Sequence, residues 1–156
     1  MKHTIQALVE NKFGVLARVA SLFSARGYNI ASLAVGETQD STVSCMTIVV
    51  DASDERILEQ IKKQLHKLID VITVVDFTRR EYIDRDLILV KVIKKKEAAV
   101  FEKLIKDYPV KIIESFGDCC IVEICADYSQ EEEILKELKK IGIKELVRTG
   151  RIAIGS

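Results

Sequence analysis

The order in which two hydrophobic periodicities alternate is the feature that most constrains the fold, because this order occurs twice. Over residues 3–77, apolar residues recur at every second position in four segments and at helical spacing in two, in the order β-α-β-β-α-β. The same order returns over residues 86–148. It is typical of the split-βαβ, or ferredoxin-like, arrangement. We therefore predict an α+β protein made of two ferredoxin-like βαββαβ domains in tandem.

The boundaries of the elements follow from the apolar stripes and from capping residues. In the first domain we predict strands at 3–9, 29–36, 43–51 and 70–77, and helices at 15–25 and from Ser53 onward. In the second domain we predict strands at 86–94, 110–115, 119–126 and 143–148, and helices at 97–108 and after a capping box, Ser129-x-x-Glu132. The predicted domains are therefore residues 1–78 and 86–156, joined by a charged linker at 79–85.

Both faces of the strands are apolar, although the predicted helices cover only one of them. Strand 43–51 shows this pattern. The residues on one face are Val43, Cys45, Thr47 and Val49, and those on the other are Ser44, Met46, Ile48 and Val50. Because a bare apolar face of this size favours association, we expect another copy of the chain or a larger partner to cover it.

The composition argues against nucleic acid and membranes as partners. Lys+Arg and Asp+Glu both number 24, so the net charge is zero. A sheet that binds RNA needs exposed aromatic residues on its central strands, and strands 43–51 and 71–77 offer only Phe77, at an end. No apolar run approaches the ~20 residues of a membrane span, and Met1 leads into a strand pattern rather than a signal peptide. We therefore expect a cytoplasmic protein.

Residues with the chemistry of catalysis or metal binding are scattered along the sequence. The two histidines, His3 and His66, are far apart, and the acidic run at 131–133 is expected to lie on a solvated helix face. The cysteines form no C-x-x-C pair and are expected to be buried thiols; they are Cys45, Cys119, Cys120 and Cys125. We therefore expect no catalytic residue, no metal site and no cofactor on this chain.

The strongest candidate for a binding site surrounds the first predicted helix. Asn11 and Gly14 precede this helix, while Gly27 and Asn29 follow it, so we expect two amides and two glycines near one another. One interpretation is structural: Asn11 caps a turn, Gly14 supplies unusual backbone angles and Asn29 starts a strand. The other interpretation is that the backbone N–H groups of residues 14–16 receive a carboxylate at a helix N-terminus.

The second interpretation predicts a site for a small amino acid. Carboxamides both donate and accept hydrogen bonds, so Asn11 and Asn29 suit the two charged ends of a zwitterion without adding net charge. Apolar neighbours favour a small apolar side chain. The predicted effector-binding residues are Asn11, Gly14, Val15, Leu16, Asn29 and Ile30.

These residues carry a resemblance to the ACT domain, the small βαββαβ module that binds amino acids, and more closely to the regulatory small subunit of acetolactate synthase. The matching motifs are Asn11-x-x-Gly14-Val15-Leu16-x-Arg18-Val19, Leu22-Phe23-Ser24-x-Arg26-Gly27-Tyr28-Asn29-Ile30-x-Ser32-Leu33, Met46-Thr47-Ile48-Val49-Val50, Glu59-Gln60-Ile61-x-x-Gln64-Leu65-x-Lys67-Leu68-x-x-Val71, Leu87-x-Leu89-Val90-Lys91-Val92 and Arg148-Thr149-Gly150. The resemblance is dense over residues 5–77 and around 87–92, and thin over 94–145. It implies that residues 1–78 form an ACT domain.

The resemblance implies a regulatory and non-catalytic role. Members of this family bind a large catalytic subunit that uses thiamine diphosphate, Mg²⁺ and FAD. They raise its activity and confer feedback inhibition by valine, sometimes with leucine or isoleucine, in branched-chain amino acid biosynthesis. Effectors bind between paired ACT domains, which implies a homodimer with residues 11–16 of one copy near residues 29–30 of the other. The choice among the three effectors differs by one methylene and stays open.

Two positions depart from the pattern of the family. Cys45 stands where an arginine often follows Ser44, and Asp86 stands where a glutamate commonly precedes Leu87. The first difference removes a positive charge near the sheet and implies an altered partner contact or effector response. The second is minor.

Other functions remain open from the sequence. A free-standing ACT-type sensor could regulate another enzyme or transcription, but no helix-turn-helix is recognisable and the neutral charge does not favour DNA. An enzyme with a ferredoxin-like active site would need a nucleophile or base, which we do not find.

Overall fold

A computed structural model describes residues 2–52, 55–93 and 98–156. Contacts within the chain group into two compact units, Met1–Ile83 with Arg151–Ser156, and Asp84–Gly150. Both units are built from the predicted order of strands and helices. The prediction of an α+β protein with two ferredoxin-like βαββαβ domains is therefore confirmed.

The first unit is a four-stranded antiparallel sheet with two helices. Its elements are β1 (Lys2–Glu10), α1 (Val15–Ala25), β2 (Ile30–Glu37), β3 (Val43–Asp51), α2 (Glu55–His66) and β4 (Val71–Asp76). The strands lie in the order β2-β3-β1-β4, so β2 and β4 are the edges. Alternate residues of β1 and β3 meet the apolar stripes of both helices, and Ile5, Phe23, Ile48 and Ile61 are buried in this core.

The second unit repeats this design. Its elements are β5 (Tyr82–Ile93), α3 (Ala98–Asp107), β6 (Val110–Phe116), β7 (Cys119–Ala126), α4 (Tyr128–Ile141) and β8 (Ile143–Arg148). The strand order β6-β7-β5-β8 matches that of the first unit. Ile88, Val90, Ile124 and Leu138 are buried in its core. β5 begins four residues earlier than predicted, inside the segment predicted as a linker.

The start of α4 differs from the prediction. Asp127, rather than Ser129, is the capping residue: its backbone is extended (φ −75°, ψ 168°), and its Oδ1 accepts a hydrogen bond of 2.9 Å from the N–H of Gln130. The predicted capping box of Ser129 and Glu132 is therefore wrong, because a carboxylate two residues earlier already satisfies a first-turn N–H group. The predicted cap of α2 at Ser53 lies outside the described residues.

Buried charges hold the end of β8 in the second unit. Glu131 on α4 was expected on a solvated face, but it is only 2% exposed, and its Oε1 lies 2.5 Å from Arg148 Nη1. Oδ1 of the buried Asp86 accepts hydrogen bonds from the N–H of Gly150 at 3.1 Å and from the hydroxyl of Thr149 at 3.0 Å. The expectation for Glu131 is thus wrong, because Arg148 on β8 provides a partner that α4 alone does not reveal.

Residues 151–156, which we call the closing segment, form a strand that the sequence did not predict. This strand, β9 (Ile152–Gly155), pairs with β5. On the face of β1 away from the helices, Gln6 Nε2 donates to the carbonyl of Ala153 at 2.8 Å, and Arg151 N donates to Ser32 Oγ at 2.9 Å. Part of the face expected to meet another molecule is thus covered by the chain itself.

By its contacts, the closing segment belongs to the first unit. The predicted second domain, 86–156, includes it instead. The division into an ACT domain at 1–78, a linker at 79–85 and a C-terminal ferredoxin-like domain at 86–156 remains a prediction.

Candidate functional site

The loop between β1 and α1 gives the helix an open, positively polarised start. Gly14 precedes α1 with left-handed backbone angles (φ 80°, ψ −6°), and no side chain caps the helix. Glycine is the residue that adopts these angles without strain. The N–H of Val15 makes a long hydrogen bond of 3.4 Å to the carbonyl of Lys12. Because the first N–H groups of a helix lack partners within the helix, this end is still suited to receive an anion.

A guanidinium group lies beside Gly14. A Cβ atom built on Gly14 would be 3.1 Å from Arg18 Nη1. The same side chain is held by a 2.7 Å ion pair from its Nε to Asp70 Oδ2, and Asp70 is buried. The predicted effector-binding residues do not include Arg18. Its spacing of four residues after Gly14, one helical turn, is the signal that could have included it.

Asn11 has hydrogen-bond partners within the chain. Its Nδ2 donates to the carbonyl of Ser41 at 2.8 Å and to Glu37 Oε1 at 3.1 Å. A carboxamide has two N–H groups, so both have acceptors within the chain, and Oδ1 is the atom left to accept a hydrogen bond. The role of Asn11 in binding an effector stays a prediction. Sequence reasoning missed Glu37 and Ser41 because they come near Asn11 only through the pairing of β1, β2 and β3.

Asn11 and Asn29 lie at opposite ends of the sheet. The N–H of Asn11 donates to the carbonyl of Thr42, which precedes β3, and the carbonyl of Asn29 accepts from Asp51, which ends β3. Nine positions at ~3.3 Å each separate these ends by about 30 Å. The expectation that the two amides lie near one another is therefore wrong within one chain. Their meeting between two chains stays a prediction.

The apolar residues of the candidate site differ in exposure. Val15 is buried in the core of the first unit, whereas Leu16 is 46% exposed beside it. Ile30 is partly buried and begins β2 with Asn29 just before it. Leu16 and Ile30 are thus accessible in part, whereas the Val15 side chain packs into the core, and the contact of all three with an effector stays a prediction.

The two histidines, which could act as a base or a metal ligand, lie apart from the loop between β1 and α1. His3 is 5% exposed, and its Nδ1 lies 3.1 Å from the hydroxyl of Thr78. His66 is exposed on α2. Within residues 2–52, 55–93 and 98–156, no group of three His, Cys, Asp or Glu side chains is placed to hold a metal ion, and no helix is long and apolar enough to cross a membrane.

The cysteines are free thiols in different surroundings. Cys119 and Cys120 are buried as expected, Cys45 is partly buried, and Cys125 is exposed. The expectation of a buried thiol is therefore wrong for Cys125, which points to the face of β7 away from the core. Burial raises the pKa of the Cys45 thiol.

Two family models match the chain, one in each half. The first is described as the AHAS small subunit-like ACT domain and matches residues 5–73. The second is described as the small subunit of acetolactate synthase and matches residues 85–156. Together they span nearly the whole sequence.

Acetolactate synthase small subunits from other organisms are similar to this chain along nearly their full length. The probable acetolactate synthase small subunit of Archaeoglobus fulgidus is 43% identical over 156 residues, covering 99% of this chain and 96% of that protein. The acetolactate synthase small subunit of Mycobacterium leprae is 44% identical over 155 residues, covering 97% and 90%. The crystal structure of the acetolactate synthase small subunit from Thermotoga maritima has a TM-score of 0.85 and 32% identity, covering 100% of this chain and 98% of that one.

These matches confirm the resemblance drawn from the motifs around Asn11, Asn29 and Arg148. The relatives are small subunits rather than catalytic subunits. The chain belongs to the acetolactate synthase small subunit family, whose members are regulatory and not catalytic.

Proposed function

We propose that this chain acts in the cytoplasm on the catalytic subunit of acetolactate synthase, raising its activity and making it sensitive to valine. Thiamine diphosphate, Mg²⁺ and FAD would be held by the catalytic subunit. The observation that carries the proposal is the open start of α1, where Gly14 and the Arg18 guanidinium lie together. This place concentrates positive potential where the carboxylate of an amino acid can bind.

The proposed effector site needs two copies of the chain. β2 is an edge strand whose residues are partly or fully exposed, and it contains neither proline nor lysine, which commonly block such edges. Two copies related by a two-fold axis would pair β2 with β2 in antiparallel fashion. Asn29 at the start of one β2 would then lie beside the end of the other β2, where Glu37 contacts Asn11.

The carboxylate and the isopropyl group of valine each have a counterpart in this arrangement. The carboxylate would meet the N–H groups of residues 14–16 and the guanidinium of Arg18. The isopropyl group would meet the exposed Leu16 of one copy and Ile30 of the other. These two apolar contacts suit a small branched side chain. Leucine and isoleucine are each larger by one methylene, which would change the binding free energy by roughly 1–3 kcal/mol.

Regulation follows from a difference in affinity. A ligand shifts an equilibrium only if it binds one of two states more tightly. Valine that contacts both copies would favour the arrangement in which they are paired most closely. We propose that this arrangement activates the catalytic subunit less, with a coupling free energy of about 1–3 kcal/mol.

Reconstitution with the catalytic subunit of the same organism tests the function. The purified chain alone should form no acetolactate from pyruvate. Added to the catalytic subunit, it should raise the rate of acetolactate formation, and valine should lower that rate again. Turnover by the chain alone, or a rate that neither the chain nor valine changes, would contradict the proposal.

A further inference from the structure

Among the residues that the structure describes, Glu37 is a carboxylate of the candidate site without a cationic partner, and we propose that it receives the ammonium of the amino acid effector. The inference rests on the proposed function and adds a residue to the effector site. Glu37 ends β2, and its side chain is exposed. Its Oε1 accepts a 3.1 Å hydrogen bond from Asn11 Nδ2, which fixes the carboxylate beside the loop that leads to α1.

The cations in and near this loop form ion pairs with carboxylates other than Glu37. Lys12 Nζ lies 2.8 Å from Glu10 Oε2, and that hydrogen bond raises the pKa of Lys12. Arg18 Nε lies 2.7 Å from Asp70 Oδ2. Across the ranges that the structure describes, no lysine, arginine or histidine forms an ion pair with Glu37. Glu37 thus keeps a negative charge that a ligand can neutralise.

The hydrogen-bonding capacity left at this place suits an ammonium group. An ammonium has three donors and no acceptor. The Nδ2 group of Asn11 donates to Ser41 and Glu37. Its Oδ1, the atom that remains for a ligand, can only accept. Oε2 of Glu37 can only accept as well. Both oxygens belong to side chains joined by the Asn11–Glu37 hydrogen bond, and Asn11 lies three residues before Gly14, which precedes α1.

The resulting site is complementary to a zwitterion. Acceptors and a negative charge lie at Glu37 and Asn11, and donors lie at the N–H groups that begin α1 and at Arg18, whose charge Asp70 partly offsets. A ligand that lacks the ammonium would leave the carboxylate of Glu37 unpaired. Glu37 therefore makes the site select free α-amino acids over the corresponding carboxylic acids.

The test compares three ligands on the full chain by calorimetry. Valine has both charges, valinamide has only the ammonium, and 3-methylbutanoate has only the carboxylate. Glu37→Gln keeps the size of the side chain and removes its charge. This variant should weaken the binding of valine and valinamide roughly 10- to 100-fold, because a charge-assisted hydrogen bond is lost. Its affinity for 3-methylbutanoate should be unchanged. The matched control is Glu10→Gln, which removes one nearby charge already paired with Lys12 and should not lower the affinity for valine.

Other outcomes decide between explanations. Unchanged valine affinity in Glu37→Gln would overturn the inference, and so would an equal loss for all three ligands, which would indicate a purely structural role through Asn11. A wild-type chain that binds none of the three ligands would instead overturn the proposed function on which the inference rests.

Discussion

At the scale of single residues, Gly14 is the most constrained position of the candidate site. Its φ of 80° lies in the left-handed region, and an added Cβ would be 3.1 Å from Arg18 Nη1. Among residues other than glycine, asparagine and aspartate adopt such angles most readily. Gly14→Asn and Gly14→Asp therefore impose similar strain and differ mainly in charge.

We predict that Gly14→Asp abolishes inhibition by valine, because its carboxylate would occupy the place of the effector's carboxylate and pair with Arg18. Gly14→Asn should keep a weakened response, since it adds bulk without charge. The measurement is the valine dependence of acetolactate formation in the reconstituted enzyme. An unchanged response of Gly14→Asp, or equal loss in both variants, would contradict a binding role for the charge of this site.

At the scale of elements, the sequence predicted the helices and strands whose bounds are set by residues close to them in the chain. The bounds of α1, Val15–Ala25, match the prediction at both ends because glycines flank a regular apolar stripe. β9 was missed because four residues after Gly150 carry too short a pattern, and its hydrogen bonds to Gln6 and Ser32 come from distant parts of the chain.

The candidate site shows the same limit. Gly14 and Asn11 were recognised from their place before α1. The separation of Asn11 from Asn29 follows from the predicted β-α-β crossover: β1 and β2 are both antiparallel to β3 and so parallel to each other, which places the end of β1 and the start of β2 at opposite ends of the sheet. Glu37 and Arg18 were missed because their roles depend on side-chain partners brought together by folding.

The buried pair of Glu131 and Arg148 gives a prediction for the second unit. Arg148→Ala leaves the carboxylate of Glu131, 2% exposed, without its guanidinium. Because Arg148 is 40% exposed, water can reach part of the site, and we expect the free energy of unfolding to fall by about 2 kcal/mol. Urea denaturation measures this change.

The matched control for that prediction is Arg79→Ala. Arg79 pairs with Glu55 at 2.7 Å, but both side chains are well exposed, so the loss should be under ~0.5 kcal/mol. Equal effects of Arg148→Ala and Arg79→Ala would show that burial of Glu131 has no energetic consequence.

The closing segment gives a prediction for the first unit. A chain that stops after Gly150 loses the hydrogen bonds that join Gln6 to Ala153 and Ser32 to Arg151. Each contributes about 1 kcal/mol, so we expect faster hydrogen exchange in β1 and a lower melting temperature. Ile154→Ser is the control, because Ile154 is 68% exposed and its loss should change neither quantity. Unchanged exchange in the shortened chain would contradict the packing of β9 against this face.

At the scale of the whole molecule, the proposed effector site depends on pairing of two copies through β2. We predict that Val35→Lys, which places a charge on this edge strand, separates the dimer and lowers sensitivity to valine. Ile72→Lys is the matched control on β4, the other edge; both side chains are similarly exposed, at 44% and 53%. Sedimentation equilibrium measures the oligomeric state. A dimer that withstands Val35→Lys but not Ile72→Lys would place the interface on β4.

The most direct test of a site shared between two copies is the mixing of two inactive variants. Gly14→Asp damages one side of the proposed site, and Asn29→His damages the other, so neither variant should bind valine by itself. In a mixed dimer, one of the two sites is built from an intact Gly14 loop and an intact Asn29. After unfolding and refolding an equal mixture, calorimetry should find valine binding at about a quarter of the wild-type capacity, as random pairing requires. If the mixture binds no valine while the wild type refolded in the same way does, the site is not shared between copies.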